Sequence, residues 1–151
     1  MKVSNLIQRD IVTCSDRDSA NHAAALMWQY DVGCLPVIGE DRRVIGMITD
    51  RDIAMAAFLQ GRPLQSITVS TVMAKDVVTC AESDSLTDIE HAMQYRQIHR
   101  VPVVDADGVL VGIVSINDIA RAAYGGRLLS AEVSSTLAAI SHPRRTFASA
   151  A

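Results

Sequence analysis

One stretch occurs twice in this chain, and the duplication decides the fold. Its first occurrence reads Leu35-Pro36-Val37-Ile38, a polar turn, Val44-Ile45-Gly46-Met47-Ile48-Thr49 and Asp50-Arg51-Asp52-Ile53-Ala54. Its second reads Val101-Pro102-Val103-Val104, a polar turn, Leu110-Val111-Gly112-Ile113-Val114-Ser115 and Ile116-Asn117-Asp118-Ile119-Ala120. The two align without a gap at an offset of about 66 residues, which marks an internal repeat.

The repeat extends upstream of this stretch. Val12-Thr13-Cys14 matches Val78-Thr79-Cys80, and Val3 in the lead-in matches Val69. Roughly a third of the aligned positions are identical, enough for two copies of one unit. We predict a first repeat with its lead-in over residues 1–65, a second over 66–126, and a C-terminal helix with a mobile tail over 127–151.

Composition restricts the class of protein. The chain has 151 residues, is 49% hydrophobic and 4% aromatic, and carries a net charge of −3. No basic block favours nucleic acid as a partner, and no apolar run is long enough to span a bilayer. The three cysteines are an odd number without a C-x-x-C pair, so a disulfide framework is not expected. A reducing cytoplasm fits this usage.

Hydrophobic periodicity predicts β-α-β-β-α in each repeat, hence an α/β fold. In the first helix, Ala23, Leu26, Met27 and Tyr30 form the expected buried face, and Gly33 ends the helix. Pro36 restricts its strand to an edge position or places the proline at the strand's start. Spacings of three and four after residue 128 predict one more helix, over 129–140. The predicted strands are 11–13, 35–38, 44–48, 77–79, 101–104 and 109–114, and the predicted repeat helices are 20–30, 50–60, 86–95 and 116–124.

The junction of the last strand and last helix in each repeat carries the chemistry. A buried strand ends at Thr49 or Ser115, and the first turn of the following helix presents N–H groups suited to phosphate. Asp52 or Asp118 follows three residues later, where a carboxylate can accept hydrogen bonds from a ribose diol. The glycine in each strand indicates close approach of another backbone or a ligand.

The same Thr/Ser-x-x-Asp spacing also fits a helix capping box, in which hydroxyl and carboxylate only satisfy the helix end. A single motif of this kind favours the cap. Its recurrence at equivalent places in two repeats favours ligand binding.

The Leu/Val-Pro-Val-Ile/Val and Gly-x-x-Thr/Ser-x-x-Asp-Ile patterns resemble the cystathionine β-synthase (CBS) domain, and two in tandem resemble a Bateman module. The resemblance covers residues 1 to about 124. It implies two repeats related by a pseudo-twofold axis, two clefts between them, and adenosine-containing ligands: AMP, ADP, ATP, NAD or S-adenosylmethionine. It also implies a homodimer.

Carried over residue by residue, the resemblance assigns sixteen positions to two clefts. In one cleft, Thr49 and Asp52 hold phosphate and ribose; in the other, Ser115 and Asp118 do so. Arg51 and Arg100 are candidate phosphate clamps, which makes S-adenosylmethionine fit less well than an anionic nucleotide. The alternative for Arg51 is a surface pair with Asp50 or another nearby carboxylate. The first cleft also takes Thr79, Ile98, His99, Arg100 and Pro102, and the second takes Thr13, Val32, Gly33, Cys34, Pro36 and Asn117.

Two other readings are open. A redox- or metal-responsive scaffold with no nucleotide bound would use Cys14, Cys34 and Cys80 with His22, His91 and His99, although no pair has the spacing of a structural zinc site. Trp28 stands where the second repeat has Gln94, which indicates either a dimer contact or partial burial.

No catalytic signature is present, so we do not expect an enzyme, a required cofactor or a metal site. The sequence favours a regulatory adenine-nucleotide sensor that acts on a separate protein.

Overall fold

The computed structural model describes residues 1–128 and 130–143, so the predicted tail after residue 143 lies outside the described residues. Within them lie two three-stranded sheets, ordered β1-β2-β3 and β4-β5-β6, which confirms the α/β class. Strand β2 runs parallel to β1 and antiparallel to β3. The elements in chain order are β1 (Cys14–Ser15), α1 (Ala20–Tyr30), β2 (Cys34–Ile38), β3 (Val44–Thr49), α2 (Asp50–Gln60), α3 (Val69–Val72), β4 (Cys80–Ala81), α4 (Leu86–Arg96), β5 (Arg100–Val104), β6 (Leu110–Ser115), α5 (Ile116–Tyr124) and α6 (Ser130–Ile140).

The predicted helices are confirmed, with α4 one residue longer than expected. The first strand of each repeat was placed wrongly, because residues 11–13 and 77–79 precede the observed strands β1 and β4. The pairing with β2 starts only at Cys14, opposite Val37. β-Branched residues favour an extended backbone, but the ladder partner decides where a strand begins.

The prediction for Pro36 was also wrong. It is the third residue of β2, which is the central strand of its sheet. Strand β1 pairs only with Val37 and Ile38, so Pro36 has no ladder partner in β1 and its missing N–H is tolerated.

Helix α1 ends differently from the prediction. Asp31, rather than Gly33, adopts the left-handed conformation with φ 52°, and its N–H donates to the carbonyl of Met27. The buried row runs through Ala20, Ala23 and Met27, while Leu26 is half-buried. Tyr30 was expected inside but is 51% exposed.

The chain divides into two compact units that do not follow the repeat boundaries. Among the described residues, the α1–α2 unit comprises 8–81 and 102–113, and the α4–α6 unit comprises 1–7, 82–101, 114–128 and 130–143. In the α1–α2 unit, Leu35, Val37 and Ile48 are fully buried in the core. In the α4–α6 unit, Met93, Ile119 and Val133 are buried.

The lead-in of each repeat belongs to the unit that holds the other repeat's first long helix. In the α4–α6 unit, Val3 N donates to Asp84 O at 3.0 Å; in the α1–α2 unit, Val69 N donates to Asp18 O at 2.8 Å. The two bonds are equivalent under the repeat. The boundaries 1–65 and 66–126 thus describe the sequence repeat and stay a prediction for domains.

Among the described residues, no helix has the length and apolar character needed to cross a membrane.

Candidate functional site

The β3–α2 corner, from Thr49 to Asp52, is held by a reciprocal capping box. Thr49 is extended, with φ −117° and ψ 162°, and its hydroxyl accepts from the Asp52 N–H at 3.2 Å. The Oδ2 atom of Asp52 accepts from the Thr49 N–H at 2.9 Å and from its hydroxyl at 2.7 Å. The spacing of three residues produces this geometry because it places both side chains on the first turn.

The β6–α5 corner, from Ser115 to Asp118, repeats this arrangement. The Ser115 N–H donates to Asp118 Oδ2 at 2.8 Å, and the Asp118 N–H donates to the Ser115 hydroxyl at 3.3 Å. Its carboxylate differs in one respect: Oδ1 forms an ion pair with the guanidinium of Arg121. The side chain of Asp118 is 4% exposed and that of Arg121 is 67% exposed.

The capping box was the alternative interpretation of the motif, and it is formed at both corners. The first-turn N–H groups of α2 are used inside the protein: Asp50 N donates to Gly33 O, Arg51 N to Asp50 Oδ1 and Asp52 N to Thr49 Oγ1. The phosphate seat predicted from these amides is therefore already occupied by protein acceptors. A ligand has to use other groups at this corner.

Two groups at the β3–α2 corner have no partner among the described residues: the Oδ1 atom of Asp52 and the guanidinium of Arg51. Arg51 is exposed, and the alternative ion pair with Asp50 is not formed. The corner thus offers an acceptor suited to a hydroxyl and a cation suited to a phosphate, one residue apart.

The two segments predicted to line the base each contact the corner of their own repeat. Gly33 O accepts from Asp50 N at 3.1 Å, and His99 O accepts from Ile116 N at 2.9 Å. These bonds tie the loop before β2 to α2 and the loop before β5 to α5. The grouping of the sixteen residues into clefts stays a prediction.

The remaining predicted site residues differ in exposure. The two prolines are buried within β2 and β5, and most of the exposed residues lie in the loops before strands. Pro36, Pro102 and Cys34 are buried; Thr13, Ile98 and Arg100 are half-buried; Val32, Thr79, His99 and Asn117 are exposed.

The expected close approach at the motif glycine is confirmed for Gly46. A Cβ there would lie 2.5 Å from the Met73 sulfur and 3.1 Å from the Ala74 carbonyl oxygen. Met47 N donates to Ala74 O at 2.9 Å, and Ala74 N donates back to Met47 O at 2.8 Å. The glycine is needed because this segment lies against β3.

An open groove of about 660 Å³ lies between α1 and α2, and neither Thr49 nor Asp52 lines it. Trp28 on its wall is 90% exposed, so the expectation of partial burial was wrong. The equivalent residue on α4, Gln94, instead donates to Thr136 of α6 at 2.8 Å. The groove is lined by Ala24, Met27, Trp28, Asp31, Val32, Gly33, Asp50, Ile53 and Ala54.

Arg121 was not among the predicted site residues. The signal was available in the sequence, because Arg121 lies three residues after Asp118, where the first repeat has Met55 three residues after Asp52. Side chains three apart on a helix are neighbours. A comparison of the repeats position by position would have found the difference.

The cysteines give no support to a redox or metal-responsive scaffold. All three are reduced and buried. Burial, with the nearby Asp18 carboxylate, raises the pKa of Cys14 to about 12, so the inert thiol form is present at neutral pH. Within residues 1–128 and 130–143, His, Cys, Asp and Glu side chains do not assemble in groups of three that could hold a metal.

Comparison with known proteins agrees with this architecture. The CBS domain family model matches residues 3–58 and 69–125. The CBS domain-containing protein YhcV of Bacillus subtilis is 40% identical over 118 residues, which cover 78% of this chain and 82% of the relative.

Two solved structures are similar over most of the chain. One is the CBS domain pair of protein MJ0100 in complex with 5′-methylthioadenosine and S-adenosyl-L-methionine, with a TM-score of 0.75, 28% identity and coverage of 85% of this chain and 98% of that one. The other is CBSX2 in complex with AMP, with a TM-score of 0.73, 26% identity and coverage of 84% and 98%. Because the family model matches both repeats, the chain belongs to the CBS domain family and carries two CBS domains in tandem.

Proposed function

We propose that this protein is a regulatory module that binds an adenosine-containing ligand at a strand-to-helix corner. The observation that carries the proposal is the pair of unpartnered groups at the β3–α2 corner, the Oδ1 atom of Asp52 and the guanidinium of Arg51. A carboxylate oxygen suits a ribose hydroxyl, and a guanidinium suits a phosphate. The adenosine ligands of the two similar structures support this chemical class.

Within that class, we favour AMP, ADP, ATP or NAD over S-adenosylmethionine. Arg51 is exposed, and its charge attracts an anion but repels the sulfonium cation of S-adenosylmethionine. No catalytic group, metal or required cofactor enters this proposal. The ligand acts by binding one conformation of the module more tightly than another, and a separate cytoplasmic protein responds to that difference.

We further propose that the protein is a homodimer in which a second chain covers the α1–α2 groove. Ala54 and Phe58 lie on one face of α2, and Phe58 is 78% exposed, as is Trp28 on the groove wall at 90%. Covering an aromatic side chain buries about 150–250 Å². With Leu59, 74% exposed, these side chains supply a large part of the roughly 800 Å² per partner that a stable interface buries.

The test of ligand binding is isothermal titration of AMP, ATP, NAD and S-adenosylmethionine into the full chain and into Asp52→Ala. We expect the substitution to weaken nucleotide binding at the β3–α2 corner by about tenfold to a hundredfold, the value of a hydrogen bond to a charged group. Equal binding by both proteins would remove Asp52 from the site.

The matched control is Asp50→Ala. Asp50 lies on the same helical turn and is exposed, but it takes no part in the capping box. We expect it to retain nucleotide binding. Because Asp52→Ala also removes cap hydrogen bonds, urea unfolding of both variants separates a loss of folding, of about 1 kcal/mol for a cap, from a loss of binding.

A further inference from the structure

The two corners use the second carboxylate oxygen of their aspartates differently. In each, Oδ2 of the aspartate closes the capping box. The Oδ1 atom of Asp52 accepts no hydrogen bond from the described residues, whereas the Oδ1 atom of Asp118 is held by Arg121. The oxygen that remains for a ligand in one corner is thus already bound by the protein in the other.

The cause lies in one residue of the repeat. Arg121 follows Asp118 by three positions on α5, and Met55 follows Asp52 by three positions on α2. Side chains at this spacing meet on a helix, and a guanidinium donates where a thioether has no proton to give. Met55 is 43% exposed, so the position accepts either side chain on the surface.

Burial strengthens the contrast. The side chain of Asp118 is 4% exposed, so its charge needs a partner, and Arg121 supplies it from the solvent side. Asp52 is only half-buried, and water can solvate its second oxygen until a ligand arrives. A ligand at the β6–α5 corner has to displace Arg121 before Asp118 can accept a ribose hydroxyl.

We propose that Arg121 closes the β6–α5 corner, so that the chain binds one adenosine nucleotide, at the β3–α2 corner. This inference rests on the proposed function and adds its stoichiometry and the residue that sets it. Arg121 is largely exposed, and solvent screens its ion pair with Asp118. We therefore expect its effect on nucleotide binding to lie at the lower end of the range for a hydrogen bond to a charged group. The closed corner then binds about tenfold or more weakly than the open one.

The experiment exchanges the two residues in the full chain and counts bound AMP and ATP by isothermal titration. The unmodified protein is expected to bind one nucleotide per chain in the stronger class of sites. Arg121→Met, which copies the first repeat at this position, is expected to raise the number to two, with the added site weaker than the first because Asn117 stands where the β3–α2 corner has Arg51. Met55→Arg is expected to pair with Asp52 at the β3–α2 corner and so abolish the stronger class of nucleotide sites.

The double variant Met55→Arg, Arg121→Met assigns the site. It is expected to bind one nucleotide, and this binding is lost on adding Asp118→Ala and retained on adding Asp52→Ala. Urea unfolding midpoints report whether each variant is folded. Because both exchanged residues are at least 43% exposed, we expect all single exchanges to fold.

Two results overturn the inference while the proposed function survives. Two equal sites in the unmodified protein show that Arg121 closes nothing, and weaker binding by Arg121→Met shows that Arg121 contacts the ligand. Absence of nucleotide binding by the unmodified protein and by every variant overturns the proposed function itself, and with it this inference.

Discussion

The face of α1 and α2 is open in this structure, whereas the equivalent face of α4 and α5 is covered by α6. Trp28 is 90% exposed on the open face, and its equivalent Gln94 bonds to Thr136 on the covered one. Ala24 in the open groove corresponds to Glu90, which is 6% exposed beneath α6. The duplication produced two similar helix pairs, and an element outside the repeat then made them different.

Weakening the packing of α6 in the α4–α6 unit is expected to have the largest effect, a loss of folding stability. Ile140, 5% exposed, lies at the end of α6 in the α4–α6 unit. We expect Ile140→Ala to lower the free energy of unfolding by about 3 kcal/mol, because it leaves a cavity under the helix. Urea unfolding measures the change. The control is Leu137→Ala on the same helix, 48% exposed, and an equal loss in both would contradict a specific role for the buried row.

Making the open face of α1 and α2 resemble the covered face of α4 and α5 is expected to have the next largest effect, a loss of dimer affinity. Trp28→Gln places the α4 residue on α1. We expect it to weaken dimerisation by about 2 kcal/mol, as for an interface hot spot, while changing the unfolding free energy of the chain by about 0.5 kcal/mol or less. Sedimentation velocity over a concentration series measures the dimer.

The control for this variant is Tyr95→Gln, because Tyr95 is 86% exposed on α4 in the α4–α6 unit. If both substitutions dissociate the dimer equally, or neither does, the open groove is not the interface.

Removing the buried charge beneath α6 is expected to have the smallest effect. Burial, followed by the nearby Glu132, raises the pKa of Glu90 above its ordinary value of 4.5, against the opposing hydrogen bond from Thr136 and the charges of His91 and the N-terminus. The folded protein therefore holds this proton more tightly than the unfolded chain, and stability falls as pH rises through the folded-state pKa.

We expect Glu90→Gln to stabilise the protein at pH 7 and to lose that advantage as pH falls below about 4.5, where the carboxyl is protonated in both states. Urea unfolding at pH 7 and pH 4 tests the sign. A gain of equal size at both values would show that charge is not the cause.

The helices were predictable because their signals are local. Ser19, Thr49 and Ser115 cap helices through bonds three residues along the chain, and the capping box of Thr49 recurs at the equivalent Ser115. The first strands were misplaced because Cys14 and Cys80 are fixed by partners more than twenty residues away, which β-propensity does not encode.

The candidate site was predictable in its residue types but not in the use of its atoms. Thr49 and Asp52 stand at the predicted corner, yet both take part in a capping box. Which oxygen remains for a ligand depends on whether a cation lies within reach of it. At the β6–α5 corner, Arg121 binds the second oxygen of Asp118; at the β3–α2 corner, the uncharged Met55 leaves the second oxygen of Asp52 unbound.

By itself, the sequence determined the duplication, the order of elements in each repeat and the family, because hydrophobic periodicity and motif spacing are properties of neighbouring residues. The tertiary structure alone decided which lead-in belongs to which unit, that a side chain at Gly46 would crowd Met73 and the Ala74 carbonyl, and that α6 covers one helix pair. These depend on contacts between segments distant in the chain, whose partners no local pattern specifies.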